Sequence, residues 1–216
     1  SFLNVGSPNY ENSQEKFVIK GGWGITNTNG FSYLSGISMI DTSVRLAFLT
    51  YLPFMIMEKG GEIGIVGFSL TLIFAGGAAG KLLCGFVAER LGIIKTMLLT
   101  ELVTGIGIMA LIFLPLNLLL FSLPLLGIAL NGTSSVLYGS VSDFVDENRQ
   151  ARAFGLFYTL AIGAGALAPF FYGLISDQWG LEICFIVIAA SLVLLIPLFI
   201  LLSPLLAKEN SRLFSS

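Results

Sequence analysis

Six stretches of this chain, about 31–57, 63–88, 93–114, 116–142, 152–176 and 181–203, are long and almost uninterruptedly apolar, and Gly, Pro or charge clusters separate them. A helix needs roughly 20 such residues to cross the hydrocarbon of a bilayer, so there is apolar length here for six crossings. The runs do not alternate between apolar and polar residues as the strands of a membrane β-barrel do. Composition agrees: 55% of residues are hydrophobic and 11% charged, where a soluble domain carries about a quarter charged. The fold class that follows is an all-α membrane protein, a bundle of six transmembrane helices whose first partner is the lipid bilayer.

Residues 1–30 differ in kind. They are polar, rich in Asn, Ser and Gly, carry Lys16 and Lys20, and offer only a short amphipathic turn around Phe17. They read as a cytoplasmic linker ahead of the first span. The chain opens on Ser1, without an initiator methionine or a signal-peptide pattern, so we expect a piece of a longer protein, with a short six-span protein as the alternative. Basic residues set the orientation. Lys16, Lys20, Arg90, Lys95, Arg149, Arg152, Lys208 and Arg212 fall on one set of alternating connections and ends, and the other set holds Lys59 alone. By the positive-inside rule both ends of the chain are cytoplasmic, and the connection around Pro115 and Asn117 faces outward.

Two short segments spell the same pattern 88 positions apart: Gly85-Phe-Val-Ala-Glu89-Arg90-Leu-Gly92 and Gly173-Leu-Ile-Ser-Asp177-Gln-Trp-Gly180. Each is a glycine, two bulky apolar residues, a small residue, a carboxylate, a polar residue, a bulky apolar residue and a glycine, at the end of an apolar run. Three crossings separate the copies, so they lie on opposite faces of the membrane. The pattern predicts two three-helix repeats of inverted topology, 31–114 and 115–204, followed by a cytoplasmic tail at 205–216. Glycine-rich helix ends bearing an acid also arise by chance, and the second copy is what lifts the reading above that.

The segment Gly80-Lys-Leu-Leu-Cys-Gly85-Phe-Val-Ala-Glu89-Arg90-Leu-Gly92 resembles the loop motif of the major facilitator superfamily of secondary transporters: a glycine, then an acid-arginine pair, one residue and a glycine. The resemblance runs from about Phe31 to Pro204 and matches the C-terminal six-helix half of that twelve-helix fold. Glu89 stands where an Asp is usual, and Ile93-Ile94-Lys95 stands where a pair of basic residues often follows. The resemblance implies an N-terminal six-helix half as partner, and a gating role for Gly85, Glu89, Arg90 and Gly92, mirrored by Gly173, Asp177 and Gly180. Gly85 would let two backbones approach while Glu89 and Arg90 latch the cytoplasmic side. A turn with solvated charges is the alternative.

Asp41 and Arg45 sit four residues apart, on one helix face, inside the first apolar run. A charge at mid-membrane costs roughly 2.5–3.5 kcal/mol, so such residues usually face a cavity and work there. The resemblance implies that this span lines the central cavity. Asp41 is then the candidate for proton coupling, since a carboxylate removed from bulk water can exchange a proton near neutrality, with Arg45 tuning it or holding an anionic group of the solute. A self-neutralising structural pair is the alternative. The fourth span supplies Asn131, Ser135 and Tyr138 on one face, either lining the same cavity or bonding between helices. Lys81 and Glu101 read as charges near the cytoplasmic ends of their spans, with Glu101 pairing with Lys81 or Arg90 in support of packing. Gly76, Gly77, Gly80, Gly105, Gly107, Gly163 and Gly165 are expected at close helix contacts.

The absence of histidine excludes a serine–histidine hydrolase. Cys84 and Cys184 stand in separate spans without a ligand cluster, so no metal and no cofactor is expected. There is no phosphate-binding loop, and without a basic patch nucleic acid is not a partner. The function that follows is a secondary active transporter, seen as a half-chain in the plasma (inner) membrane, moving a small organic solute by alternating access and coupled to protons. A multidrug-type efflux permease of the same fold and a non-transporting six-span scaffold are the alternatives.

Overall fold

The structure, a computed structural model, describes residues 22–213. The first 21 residues, with the amphipathic turn expected around Phe17, and the last three lie outside the described residues. Helices α1 (Thr28–Glu58), α2 (Ile63–Leu91), α3 (Ile93–Phe113), α4 (Leu116–Val141), α5 (Gln150–Trp179), α6 (Leu181–Ser191) and α7 (Leu195–Leu213) follow in order. They supply six segments long and apolar enough to cross a membrane, with α6 and α7 together forming the sixth. The exterior suits lipid: Phe113 is 79% and Phe121 87% exposed, aromatic surface that water would expel and a bilayer accepts.

Two boundaries differ from the sequence reading for local reasons. α1 begins three residues early because Asn27 caps it, its side-chain oxygen accepting from the Gly30 N–H at 3.1 Å. The sixth span is not one unbroken helix but passes through a 3-10 turn at Leu192–Leu194. Pro197 accounts for this, since its ring clashes with the carbonyl of Val193 one turn back and cannot donate to it, and the preceding backbone tightens instead. α7 then continues to Leu213, through residues that the sequence reads as tail.

Helix packing is set by missing side chains. α2 lies along α4, and a methyl added at Gly76 or Gly80 would collide with the backbone at Pro124 or Ile128, while one at Gly127 would strike the Ile73 carbonyl. α5 lies along α1 in the same manner, with Gly165 against Thr42 and Leu46. Small residues let these backbones approach until dispersion contacts hold them, the main source of helix association where water supplies no hydrophobic drive. The expectation of close contact is met at Gly76, Gly77, Gly80, Gly107 and Gly165, while Gly163 meets nothing within 4 Å.

The 88-residue offset extends well beyond the two motifs. The starts of α1, α2 and α3 recur at α4, α5 and α6 to within one residue. Buried residues of α2 match buried residues of α5 at the same spacing: Ser69 with Phe157, Ile73 with Ala161, Gly77 with Gly165 and Gly80 with Ala168. Two segments at one end of the bundle also pair with each other. Ahead of α1, Ile25 forms a lone antiparallel bridge with Val145, and Thr26 N–H donates to the Phe144 carbonyl at 2.9 Å. At the opposite end Lys59 Nζ donates to the carbonyls of Ile112 (2.9 Å) and Leu114 (2.8 Å), neutralising the exposed C-terminus of α3.

Replacing Gly80 by Val should therefore push α2 off α4 and destabilise the protein by about 1–3 kcal/mol, as overpacking does. Gly105→Ala, whose methyl meets the flexible tip of Leu192 at 3.4 Å and the Ala189 carbonyl at an ordinary 4.0 Å, should stay within about 0.5 kcal/mol. Thermal unfolding of the full-length protein in detergent reads the difference, and equal midpoints for the two variants would rule out the backbone contact as the packing determinant.

Candidate functional site

α1 buries Asp41, 4% exposed, and carries Arg45 one turn further on. Arg45 Nη2 lies 3.9 Å from Asp41 Oδ2 and donates to Thr42 Oγ1 at 3.3 Å. The first distance supports an ion pair but is too long for a hydrogen bond, and Asp41 Oδ2 has no hydrogen-bond partner. α3 adds the residue that the sequence reading misplaced. Glu101, 5% exposed, pairs with neither Lys81 nor Arg90. Its carboxyl meets that of Asp41, adjoins the Thr133 hydroxyl and lies within electrostatic reach of Arg45. The reason is the packing of α2, which lies mainly along α4 and leaves both Lys81 and Arg90 exposed. α3 meanwhile turns its polar stripe of Thr96, Thr100, Glu101 and Thr104 inward, all four buried. That three- and four-residue spacing was the available signal for Glu101.

α4 divides its polar residues between two tasks. Thr133 Oγ1 donates to Thr100 Oγ1 at 2.7 Å, and Thr100 donates in turn to backbone carbonyls of its own helix, tying α4 to α3 beside the carboxyls. Tyr138 stacks face to face on Tyr158 of α5, with centroids 4.6 Å apart and planes 7° from parallel, and meets Phe157 edge-on. It lies within electrostatic reach of Arg45 and Asp41. Asn131 is elsewhere, against Gly77 in the α2–α4 contact and bonded to the Gly127 carbonyl at 3.3 Å. Ser135 is half-buried. The structure thus gathers Asp41, Arg45 and Tyr138, adds Glu101 and Thr133, and holds Asn131 in the helix interface.

The paired motifs fold alike. Gly92 and Gly180 both have φ of 88°, a left-handed conformation that glycine adopts without penalty. Each donates its N–H at 2.9 Å to the carbonyl four residues back, Ala88 and Ser176, and accepts from the first turn of the next helix, at Thr96 and Cys184. One residue thereby ends a helix and starts another. Gly173 lies under the Tyr51 hydroxyl, which donates to the Pro169 carbonyl at 2.7 Å. Gly85 faces open space. Glu89, Arg90 and Asp177 are exposed and form no ion pair among the described residues. Between α3 and the sixth span lies an apolar groove of about 490 Å³, with Glu101 the one charged residue in its lining.

Comparison with known proteins agrees with this architecture. Over residues 32–214 the chain matches the model of the Major Facilitator Superfamily. It is similar to the uncharacterized MFS-type transporter YhjX of Escherichia coli strain K12, with 29% identity over 101 residues, which is 46% of this chain and 25% of that protein. With six apolar helices arranged as described and a family match across all of them, the chain belongs to the Major Facilitator Superfamily of membrane transporters.

Proposed function

We propose that this chain is the C-terminal six-helix half of a secondary active transporter, which moves a small organic solute by alternating access and couples that movement to protons. Asp41 carries the reading: it is an acid near the middle of a membrane-crossing helix, 4% exposed and only loosely paired with Arg45, in a chain that belongs to a transporter superfamily. An ion there costs roughly 2.5–3.5 kcal/mol, and a proton is the smallest ligand that removes the cost. Arg45 and Tyr138 border the same polar cluster as candidates for solute contact. Ser135, and Asn131 from the helix interface, complete the polar side of α4.

The 88-residue recurrence of helix starts and buried positions supports two three-helix units. The odd number of crossings between them supports inverted topology, the arrangement that lets one bundle rock against another. Gly85, Glu89, Arg90 and Gly92 then serve as the cytoplasmic gate and Gly173, Asp177 and Gly180 as its external counterpart. The exposed Glu89 and Arg90 and the open face at Gly85 suit partners on an N-terminal six-helix half. The assembly sits in the plasma (inner) membrane with both ends of this segment cytoplasmic.

Asp41→Asn in the full-length protein should abolish proton-driven solute movement in vesicles, while unchanged coupling would remove Asp41 from the mechanism. For topology, Arg90→Cys should react with a membrane-impermeant maleimide from the cytoplasmic side and Gln178→Cys from outside. Within this chain Cys84 and Cys184 are buried, and the parent protein without the new cysteine serves as the control. Reaction of both from one side would exclude an inverted repeat.

A further inference from the structure

The acid at Glu101 has no task in a site built on Asp41 and Arg45 alone, and it occupies an expensive place. Both carboxyls are more than nine-tenths buried, they meet each other, and each keeps one oxygen, Asp41 Oδ2 and Glu101 Oε1, without a hydrogen-bond partner. Two ionised carboxylates have no donor between them. Held against each other away from water, their like charges repel strongly. With Arg45 alongside, the three groups are neutral when they hold one proton and carry a net negative charge when they hold none.

The fold itself does not require these charges. At the 88-residue offset the second set of helices holds Ala129, Thr133 and Ala189 at the positions of Asp41, Arg45 and Glu101. Among the described residues the remaining surroundings offer no competing charge. α4 contributes the Thr133 hydroxyl and the Tyr138 phenol, with Tyr158 of α5 behind it, and the sixth span shows only Ala189, Leu192, Leu195 and other apolar residues in the groove beside Glu101.

We infer that Asp41 and Glu101 form a single proton-binding site that bridges α1 and α3, with one proton shared between the two carboxyls and the Arg45 guanidinium as fixed counter-charge. The inference rests on the proton-coupled reading above and deepens it by making the proton carrier a pair. Loading places a proton on a carboxylate oxygen, and release returns it to water with no other bond changed. A metal cation is the poorer occupant, because it would need several oxygen ligands and would be repelled by Arg45.

The groove offers a direct test, since it gives an apolar reagent a lipid-side path to Glu101. Dicyclohexylcarbodiimide reacts with protonated carboxyls, and its adducts can be located by mass spectrometry on the full-length protein in membranes. Wild type should be modified at Glu101 or Asp41, with labelling falling at least tenfold as pH is raised until the shared proton is lost. Asp41→Asn should abolish labelling of Glu101 at neutral pH, because the remaining carboxylate then pairs with Arg45 and needs no proton. Arg45→Gln should raise labelling and carry it to higher pH. Persistence of Glu101 labelling in Asp41→Asn would overturn the shared site, as would protection by sodium at constant pH. Labelling is read without transport: this signature with no proton coupling would sink the transport reading and leave the site, while coupling without the signature would do the reverse.

Discussion

The near-contact of backbones between α2 and α4, and between α5 and α1, is the interaction on which the rest of the structure depends. In a bilayer the helices gain nothing from leaving water, so shape and dispersion must fix their positions. Gly76, Gly80 and Gly127 on one side and Gly165 on the other remove the side chains that would hold these pairs apart. With α2 committed to α4 and α5 to α1, what remains of α1, α3 and α4 turns inward around a common centre. Asp41, Glu101 and Thr133 meet there. The placing of the charged cluster therefore follows from these glycine contacts, one of which, Gly165 against Thr42 and Leu46, lies beside it.

Repetition of the fold and asymmetry of the charges answer different demands. The packing surfaces recur at one offset because each three-helix unit must bury the same kind of face, and Gly77 with Gly165 or Gly80 with Ala168 satisfy that need equally. Charges obey no such rule. Asp41, Arg45 and Glu101 stand in the first unit, while the second has Ala, Thr and Ala at those positions. Recurrent packing positions with ionisable groups at one set only separate the demands of assembly from those of the proposed site.

Much of this was legible in the sequence, and the limits have physical causes. The six spans could be read because a bilayer demands length and apolarity, which any sequence displays. The two matching helix ends could be read because Gly92 and Gly180 need a left-handed backbone that few other residues tolerate. The break at Leu192–Leu194 was signalled by Pro197, but a proline in a membrane helix can also be absorbed without a 3-10 turn. Glu101 was misread because depth along a helix and direction around it are separate coordinates. Its position in the span suggested the membrane edge, whereas its companions Thr96, Thr100 and Thr104 mark the inward stripe. Asn131 illustrates the reverse difficulty: it shares a helix face with Ser135 and Tyr138, yet the glycine opposite it at Gly77 draws it into a packing contact.

The proposed shared proton would give the proposed coupling an energetic basis. With the proton in place Asp41, Glu101 and Arg45 sum to zero and the bundle can rock with no net charge moving through a dry interior. Without it the cluster is negative, and carrying that charge through the apolar state costs roughly 2.5–3.5 kcal/mol, which slows the passage about a hundredfold. Arg45 is the group able to change this balance, because it is 15% exposed and is held, among the described residues, by a bond to Thr42 and a 3.9 Å approach to Asp41. An anionic solute that drew Arg45 away from the pair would strengthen the hold on the proton, since the carboxyls would then face each other without a cation. Solute and proton would load together through one mobile side chain, with no need for direct contact between them.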